Sequence, residues 1–129
     1  MIIMVSNMVK SSIAHDKSLH FAIRIVRLYK FLQGKNEYVL SKQILRSGTG
    51  IGANLAEAKA AITRKDFQSK VYIALKECSE TLYWLELLKE TDYISNEQYQ
   101  SLYNDCEELR RILSSTTRTL SSKETQQSE

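Results

Sequence analysis

The chain has 129 residues, of which 43% are hydrophobic and 26% are charged, the composition of a folded domain rather than of a disordered or collagen-like chain. It contains no proline and four glycines. Because sandwiches and barrels need many tight turns, which glycine and proline usually build, this composition favours long helices with few connections. The net charge is +3, and the basic excess lies in the first half, where residues 1–36 hold six basic and one acidic residue.

The first predicted helix covers residues 16–33. Four apolar residues recur there at spacings of four, three and four positions, which places them on one helical face: Phe21, Ile25, Leu28 and Leu32. Gly34 follows, and glycine is the residue that most often ends a helix.

The second predicted helix covers residues 37–62, with Asn36 as its N-cap. Its stripe of apolar or small residues keeps helical phase throughout and consists of Leu40, Ile44, Ser47, Ile51, Leu55, Ala58 and Ile62. The stripe runs through Gly48, Gly50 and Gly52, and each glycine costs about 1 kcal/mol in a helix interior. Because the phase is the same on both sides, we predict an unbroken helix in which close packing offsets this cost.

The third predicted helix covers residues 64–90 and the fourth covers residues 96–115. Each begins at a capping box, formed by Thr63 with Asp66 and by Ser95 with Gln98. Their core stripes are Phe67, Val71, Ala74, Cys78, Leu82, Leu85 and Leu88 in the third helix, and Tyr99, Leu102, Cys106, Leu109 and Leu113 in the fourth. Both cysteines lie on these stripes, so we expect buried apolar residues rather than a disulfide framework.

Helices joined by such short connections alternate in direction. We therefore predict an all-α fold, an antiparallel up-down-up-down four-helix bundle at residues 15–115. Residues 1–14 form a predicted N-terminal extension. Residues 116–129 form a predicted flexible tail, because serine and threonine dominate them. The sequence lacks the basic start of a signal peptide and the ~20 apolar residues of a membrane span, so we expect a cytoplasmic protein without a membrane partner.

A glycine-rich segment from Gly48 to Ala53 matches the G-x-G-x-x-A pattern of dinucleotide-binding loops. That pattern binds a pyrophosphate only between a strand and a helix N-terminus, whereas helical periodicity runs through it here. We therefore expect no cofactor. Instead, Gly48, Gly52 and Ala56 form a stripe of small residues where another helix can approach closely, and Asn54 beside it can form a hydrogen bond across the contact.

The first and third helices are apolar on a second side, away from the predicted core. On a helical wheel these outer stripes consist of Leu19, Ile23 and Val26 in the first helix, and Tyr72, Tyr83 and Leu87 in the third. A helix with two apolar sides is central in its protein or lies at an interface, and a four-helix bundle has no central helix. The outer stripes therefore predict a homo-oligomer. The alternative is that they are scattered surface apolar residues, which are normal on soluble proteins.

The sequence shows no pattern typical of a catalytic or metal site. His15 and His20 are the two histidines, and their spacing of five residues does not place two ligands on one helical face. No candidate nucleophile has a base beside it. We therefore expect a protein that is not an enzyme and that holds no metal.

The first helix carries a ridge of basic residues at spacings of three, four and three, namely Lys17, His20, Arg24 and Arg27. Arg64 and Lys65 add positive charge at the start of the third helix. Such a ridge is suited to phosphate contacts, so RNA or DNA is a predicted partner. The alternative is that the ridge is an ordinary solvated face and that the protein is a protein–protein interaction scaffold without nucleic-acid binding.

Residues 46–58, with the sequence RSGTGIGANLAEA, resemble the signature of a bacterial family of four-helix-bundle proteins, the ribosomal-RNA intervening-sequence proteins. Residues 66–67 and 74–85 extend the resemblance, which covers roughly residues 15–113. It implies a cytoplasmic bundle, often a ring-shaped homopentamer, and some members are encoded within intervening sequences of large-subunit ribosomal RNA genes. The chain is also similar to the accessory variability protein of diversity-generating retroelements, which implies nucleic acid and a reverse transcriptase as candidate partners.

Overall fold

The computed structural model describes the backbone of residues 2–128 and the side chains of residues 12–121. Four helices make up the fold: α1 (Ile2–Gly34), α2 (Leu40–Lys59), α3 (Arg64–Glu90) and α4 (Asn96–Ser128). Residues 2–128 contain no strand, which confirms the predicted all-α class. Within the described part of the chain, no helix is both long and apolar enough to cross a membrane.

Neighbouring helices run antiparallel, as the pairs of residues between them show. Between α1 and α4, Lys17 contacts Glu108 and Arg24 contacts Asp105, so position rises along one helix as it falls along the other. The other neighbouring helices are antiparallel by the same criterion. The pairs are Ile25–Gly48 and Ser18–Gly52 between α1 and α2, Arg46–Glu80 and Glu57–Lys70 between α2 and α3, and Lys89–Tyr99 and Tyr72–Ser121 between α3 and α4. Both α1 and α3 contact α2 and α4, so α1 and α3 lie on one diagonal of the bundle.

The predicted core stripes of the four helices meet along the bundle axis. The largest fully buried side chains include Phe21, Ile25, Ile51, Leu85 and Leu109. Both cysteines lie in this core, where the Cys106 thiol donates a weak hydrogen bond to the Cys78 carbonyl oxygen at 3.5 Å. Apolar burial of this kind, at about 25 cal/mol per Å², is the main stabilising contribution to such a fold.

The first helix begins earlier than predicted. α1 starts at Ile2 rather than at residue 16. Ala14, two positions before the predicted boundary, is buried and continues the core stripe, so the helix passes through residue 16 without a break. The side chains of residues 1–11, which make up most of the predicted extension, lie outside the described residues.

The fourth helix ends later than predicted. α4 continues past residue 115 to Ser128. Three side chains in this continuation are buried, namely Thr116, Thr117 and Leu120. The described part of the predicted tail, residues 116–121, is therefore helical and packed rather than flexible. The side chains of residues 122–129, which complete that tail, lie outside the described residues.

The connection between α1 and α2 differs from the prediction at both helix ends. Asn36 does not cap α2, because its φ of 63° is left-handed and its N–H donates to the Gln33 carbonyl oxygen, which closes α1. Gly34 is simply the last helical residue of α1. Val39 occupies the N-cap position of α2, and the preceding Glu37 satisfies its first turn, since the Glu37 Oε1 accepts a hydrogen bond from the Ser41 N–H at 2.7 Å.

The other end of α2 also falls short of the predicted boundary. The helix ends at Lys59, so Ile62 is not part of the core stripe as predicted but lies 96% exposed in the connection to α3. In both predicted capping boxes the N-cap hydroxyl accepts a hydrogen bond from the backbone N–H three residues later. The Thr63 Oγ1 accepts from the Asp66 N–H at 3.0 Å, and the Ser95 Oγ accepts from the Gln98 N–H at 3.1 Å.

Candidate assembly and nucleic-acid interfaces

The glycine-rich segment sets the distance between α2 and its neighbours. α2 is unbroken through this segment, as predicted, so its N–H groups belong to the helix and cannot form a dinucleotide-binding loop. A Cβ atom added to Gly48 would lie 2.8 Å from Ile25 Cγ1 and Cγ2, and one added to Gly52 would lie 2.9 Å from Ser18 Oγ. These two glycines therefore permit the close approach of α1.

Two other residues predicted at this contact do not contribute to it. The Asn54 side chain donates to the Gly50 carbonyl oxygen of its own helix at 2.8 Å, rather than across to a neighbouring helix. Ala56 is exposed. Gly50 instead faces α3, where an added Cβ would lie 3.1 Å from the Glu77 carboxylate. The small residues of α2 thus serve two contacts, with Gly48 and Gly52 on α1 and Gly50 on α3.

The outer stripe of α1 lies on the solvent side of the bundle. Leu19, Ile23 and Val26 are all exposed, and Leu19 retains 58% of its accessible surface. The core stripe lies on the opposite side of the same helix. Leu19 and Ile23 are each two residues from the buried Phe21, and two residues turn an α-helix by about 200°. α1 therefore presents one apolar side to the core and a second to solvent, as predicted.

The outer stripe of α3 is mostly exposed. Tyr72 and Tyr83 lie on the surface, Tyr83 with 59% exposure, whereas Leu87 is half-buried. Ile73 adds a further exposed side chain to the same side of the helix. Because α1 and α3 lie on one diagonal of the bundle, their outer stripes face away from each other on opposite sides of one chain.

The basic ridge of α1 is partly neutralised by α4. Lys17 Nζ lies 2.7 Å from Glu108 Oε1, and this hydrogen bond raises the pKa of Lys17. Arg24 Nη1 lies 2.6 Å from Asp105 Oδ2, and its Nη2 donates to the Ser101 Oγ at 2.8 Å. The two ridge residues nearest to α4 are therefore paired with carboxylates, which the sequence pattern did not reveal.

The other predicted basic residues are exposed on α1 or lie at the start of α3. His20 and Arg27 are exposed and form no ion pair or hydrogen bond with any residue that the structure describes. Arg64 is half-buried and Lys65 is exposed, and both lie at the start of α3. Because α3 lies diagonally across the bundle from α1, Arg64 and Lys65 do not form one continuous surface with the basic ridge within a single chain.

An open pocket lies between α1 and α4, beside the ridge. This α1–α4 pocket has a volume of about 230 Å³ and is lined by Arg24, Arg27, Leu28, Phe31, Gln98 and Leu102. Lys35 Nζ lies 4.7 Å from the centroid of the Phe31 ring. Phe31 was not among the predicted site residues, although its position four residues after Arg27 and four before Lys35 places all three on one face of α1.

The buried thiols and the acidic residues described by the structure do not form a metal-binding cluster. A hydrogen bond with Cys78 and burial both raise the pKa of the Cys106 thiol, so this group stays protonated and is a poor nucleophile and metal ligand at neutral pH. Among residues whose side chains are described, no three histidine, cysteine, aspartate or glutamate residues form a group that could hold a metal ion.

Comparison with known proteins places the chain in a family. The family model described as 23S rRNA-intervening sequence protein matches residues 10–115. A crystal structure of a protein with unknown function from the S23 ribosomal protein family of Bacteroides thetaiotaomicron VPI-5482 is 56% identical, with a TM-score of 0.82 over 84% of this chain and 98% of that chain. No curated protein matches the sequence. Because the family model matches most of its length, the chain belongs to the 23S rRNA-intervening sequence protein family.

Proposed function

We propose that the protein is a non-catalytic helical bundle whose copies assemble head to tail into a closed ring, and that the ring binds RNA or another nucleic acid through the basic surface of α1. The observation that carries this proposal is the pair of outer stripes on diagonally related helices, exposed at every member except the half-buried Leu87: Leu19, Ile23 and Val26 on α1, and Tyr72, Tyr83 and Leu87 on α3.

The positions of the outer stripes favour a ring over a two-fold dimer. A two-fold contact uses one patch twice and leaves the other patch exposed, whereas a head-to-tail contact joins the α1 stripe of one copy to the α3 stripe of the next. Repetition of that contact covers both stripes in every copy once the ring closes. The family resemblance makes five the expected number of copies.

Nucleic-acid binding is supported by the basic side chains of the ridge that α4 leaves unpaired. His20 and Arg27 are exposed on α1, and neither has a partner among the described residues. A ring repeats this surface in each copy, so a modest charge on one chain becomes an extended basic surface.

Sedimentation velocity at micromolar concentration tests the assembly. We expect a discrete species larger than the 14.9 kDa chain for the wild type. Ile23→Asp should sediment as a monomer, because a charge buried without a partner at an interface costs several kcal/mol. Lys42→Asp, which places the same charge on an exposed position of α2, should assemble like the wild type. A monomeric wild type would contradict the proposal.

Fluorescence anisotropy with labelled RNA and DNA tests the binding. The affinity should fall steeply between low and physiological salt, because each neutralised phosphate releases counterions. His20→Glu combined with Arg27→Glu should abolish binding without loss of helix content, with Lys42→Glu as the matched control. An assembled wild type that binds no nucleic acid at low salt supports the alternative, a protein-binding scaffold, for which a reverse transcriptase is the first partner to test.

A further inference from the structure

The α1–α4 pocket combines an apolar floor with a cationic rim. Leu28 and Leu102 are buried and form the floor, while the rim includes the exposed Phe31 ring and the exposed Arg27 guanidinium. At about 230 Å³ the pocket is smaller than the roughly 300–1,000 Å³ of sites for drug-sized ligands. Its size and lining suit one flat ring system that carries a negative charge at its edge.

The charge at the rim is available to a ligand. Arg24 is occupied by Asp105 and Ser101, but Arg27 has no partner among the described residues. Lys35 adds a second positive charge near the ring of Phe31, where its ammonium is held by the Tyr93 carbonyl oxygen at 3.1 Å. The aromatic wall therefore lies between two cations, one of which is free to bind an anion.

We propose that the α1–α4 pocket binds one unpaired nucleotide of a single-stranded nucleic acid. The base lies on the Phe31 ring and the leucine floor, and the adjoining phosphate pairs with the Arg27 guanidinium. Aromatic stacking and a cationic groove are the two contacts by which proteins hold single strands. This inference rests on the proposed nucleic-acid binding and adds to it a preference for single strands over duplexes, whose bases are already stacked.

The pocket stays accessible in the proposed ring. Arg27 and Phe31 lie roughly a quarter turn around α1 from the outer stripe of Leu19, Ile23 and Val26, at about 100° per residue. A neighbouring copy seated on that stripe therefore covers a different side of the helix. The pocket is repeated in each copy, so a ring offers a series of equivalent nucleotide sites.

Binding of a single-stranded 12-nucleotide RNA and of its blunt duplex tests the proposal by fluorescence anisotropy. The wild type should prefer the single strand, and Phe31→Leu should weaken single-strand binding on the order of 10-fold while leaving duplex binding within twofold. Tyr38→Leu, which removes an exposed ring that does not line the pocket, is the matched control. Circular dichroism of each variant should show unchanged helix content.

The outcomes separate this site from the proposed function. Equal affinity for strand and duplex, with no effect of Phe31→Leu, overturns the nucleotide pocket and leaves electrostatic binding in place. Absence of binding to both probes at low salt overturns the proposed function, and the pocket proposal with it.

Methyl NMR spectra identify the source of the ligand. The resonances of Leu28 and Leu102 should shift when the RNA strand is added. Shifts with adenosine monophosphate but not with the strand contradict the strand assignment and indicate a free-nucleotide site. Shifts with an acidic, tyrosine-containing peptide but with neither nucleotide probe overturn the proposal and indicate a protein partner.

Discussion

The contacts on the two sides of α1 differ in kind. On the α2 side, Gly48 and Gly52 bring the backbones close enough for added Cβ atoms to overlap with Ile25 and Ser18. On the α4 side, half-exposed ion pairs bridge the helices and an open pocket remains between them. Close apolar contact fixes the position of α1, whereas exposed charge pairs contribute little stability. Space for a ligand therefore remains on the α4 side of α1 and not on the α2 side.

The largest expected effect comes from filling the close contact on the α2 side. Gly48→Val should lower the free energy of unfolding by about 2–3 kcal/mol, because its branched side chain meets the fully buried Ile25. Urea denaturation at a fixed protein concentration measures this loss. Gly34→Ala, at a glycine with no atom within 4 Å of its added Cβ, should change stability by less than about 1 kcal/mol. Equal effects of the two substitutions would refute the proposed role of Gly48.

A smaller loss of stability is expected at Gly52, the second glycine on the α2 side, and a second substitution should restore most of it. Gly52→Ala should cost about 1 kcal/mol, since its Cβ would lie 2.9 Å from Ser18 Oγ. Ser18→Ala removes that oxygen, so the double variant should recover most of the loss. A double-mutant cycle from urea denaturation measures the coupling. Additive effects would show that the Gly52–Ser18 contact does not determine the stability at this position.

The charges of two carboxylates should affect stability with opposite signs. Burial raises the pKa of Glu77, and this effect outweighs the opposite effect of Arg46, whose Nη1 lies 3.6 Å from the Glu77 Oε2. Hydrogen bonding by Arg110 lowers the pKa of Glu107. The ionised Glu107 stabilises the fold above its ordinary pKa of 4.5, and this stabilisation is lost as the pH falls through its lowered folded-state pKa. The ionised Glu77 destabilises the fold, and this loss of stability develops as the pH rises above 4.5 through its raised folded-state pKa.

Two neutral variants measure these opposite signs. Near pH 7, Glu77→Gln should be more stable than the wild type and Glu107→Gln less stable. Both differences should shrink as the pH is lowered through the folded-state pKa of each group. Urea denaturation between pH 3 and pH 7 gives the comparison, and differences of the same sign at neutral pH would contradict it.

The smallest effect on stability is expected on the α4 side. Asp105→Asn removes the charge that pairs with Arg24, and because both groups are exposed by more than a third, the loss should stay below about 1 kcal/mol. RNA affinity should rise several-fold, since the freed guanidinium joins the unpaired cations of α1. Anisotropy at low salt measures the gain, and unchanged affinity would exclude Arg24 from the binding surface.

The core could be predicted from the sequence because burial follows helical period. Phe21, Ile25 and Leu85 lie where the spacing of apolar residues places them. The C-terminal ends of α1 and α3 were predicted within one residue, but the residue that closes α1 was not, because the left-handed backbone lies at Asn36 rather than at a glycine. Such closure depends on local hydrogen bonds that residue type alone does not determine.

The end of α4 was missed for a different physical reason. Serine and threonine suggested a solvated tail, yet Thr116 is fully buried. Its hydroxyl donates to the Ile112 carbonyl oxygen at 2.9 Å, so the polar group is satisfied within the helix and its methyl group can pack. A polar composition therefore did not exclude burial.

The candidate site was predicted in part. A helical wheel identifies the basic ridge and the outer stripes, because both are properties of one helix. The carboxylates that pair with Lys17 and Arg24 come from α4, and their placement depends on the register between two helices. The α1–α4 pocket depends on the same register, so neither feature follows from the periodicity of α1 alone.

Sedimentation velocity of two mixed variants tests head-to-tail assembly most directly. Ile23→Asp disrupts the α1 stripe and leaves the α3 stripe intact, whereas Tyr83→Asp does the reverse. In a mixture the two disrupted stripes then carry like charges and cannot pair with each other. Each variant alone should sediment as a 14.9 kDa monomer, and an equimolar mixture should form a species of twice that mass through the one intact contact. A mixture that stays monomeric, or a single variant that assembles like the wild type, would contradict the account.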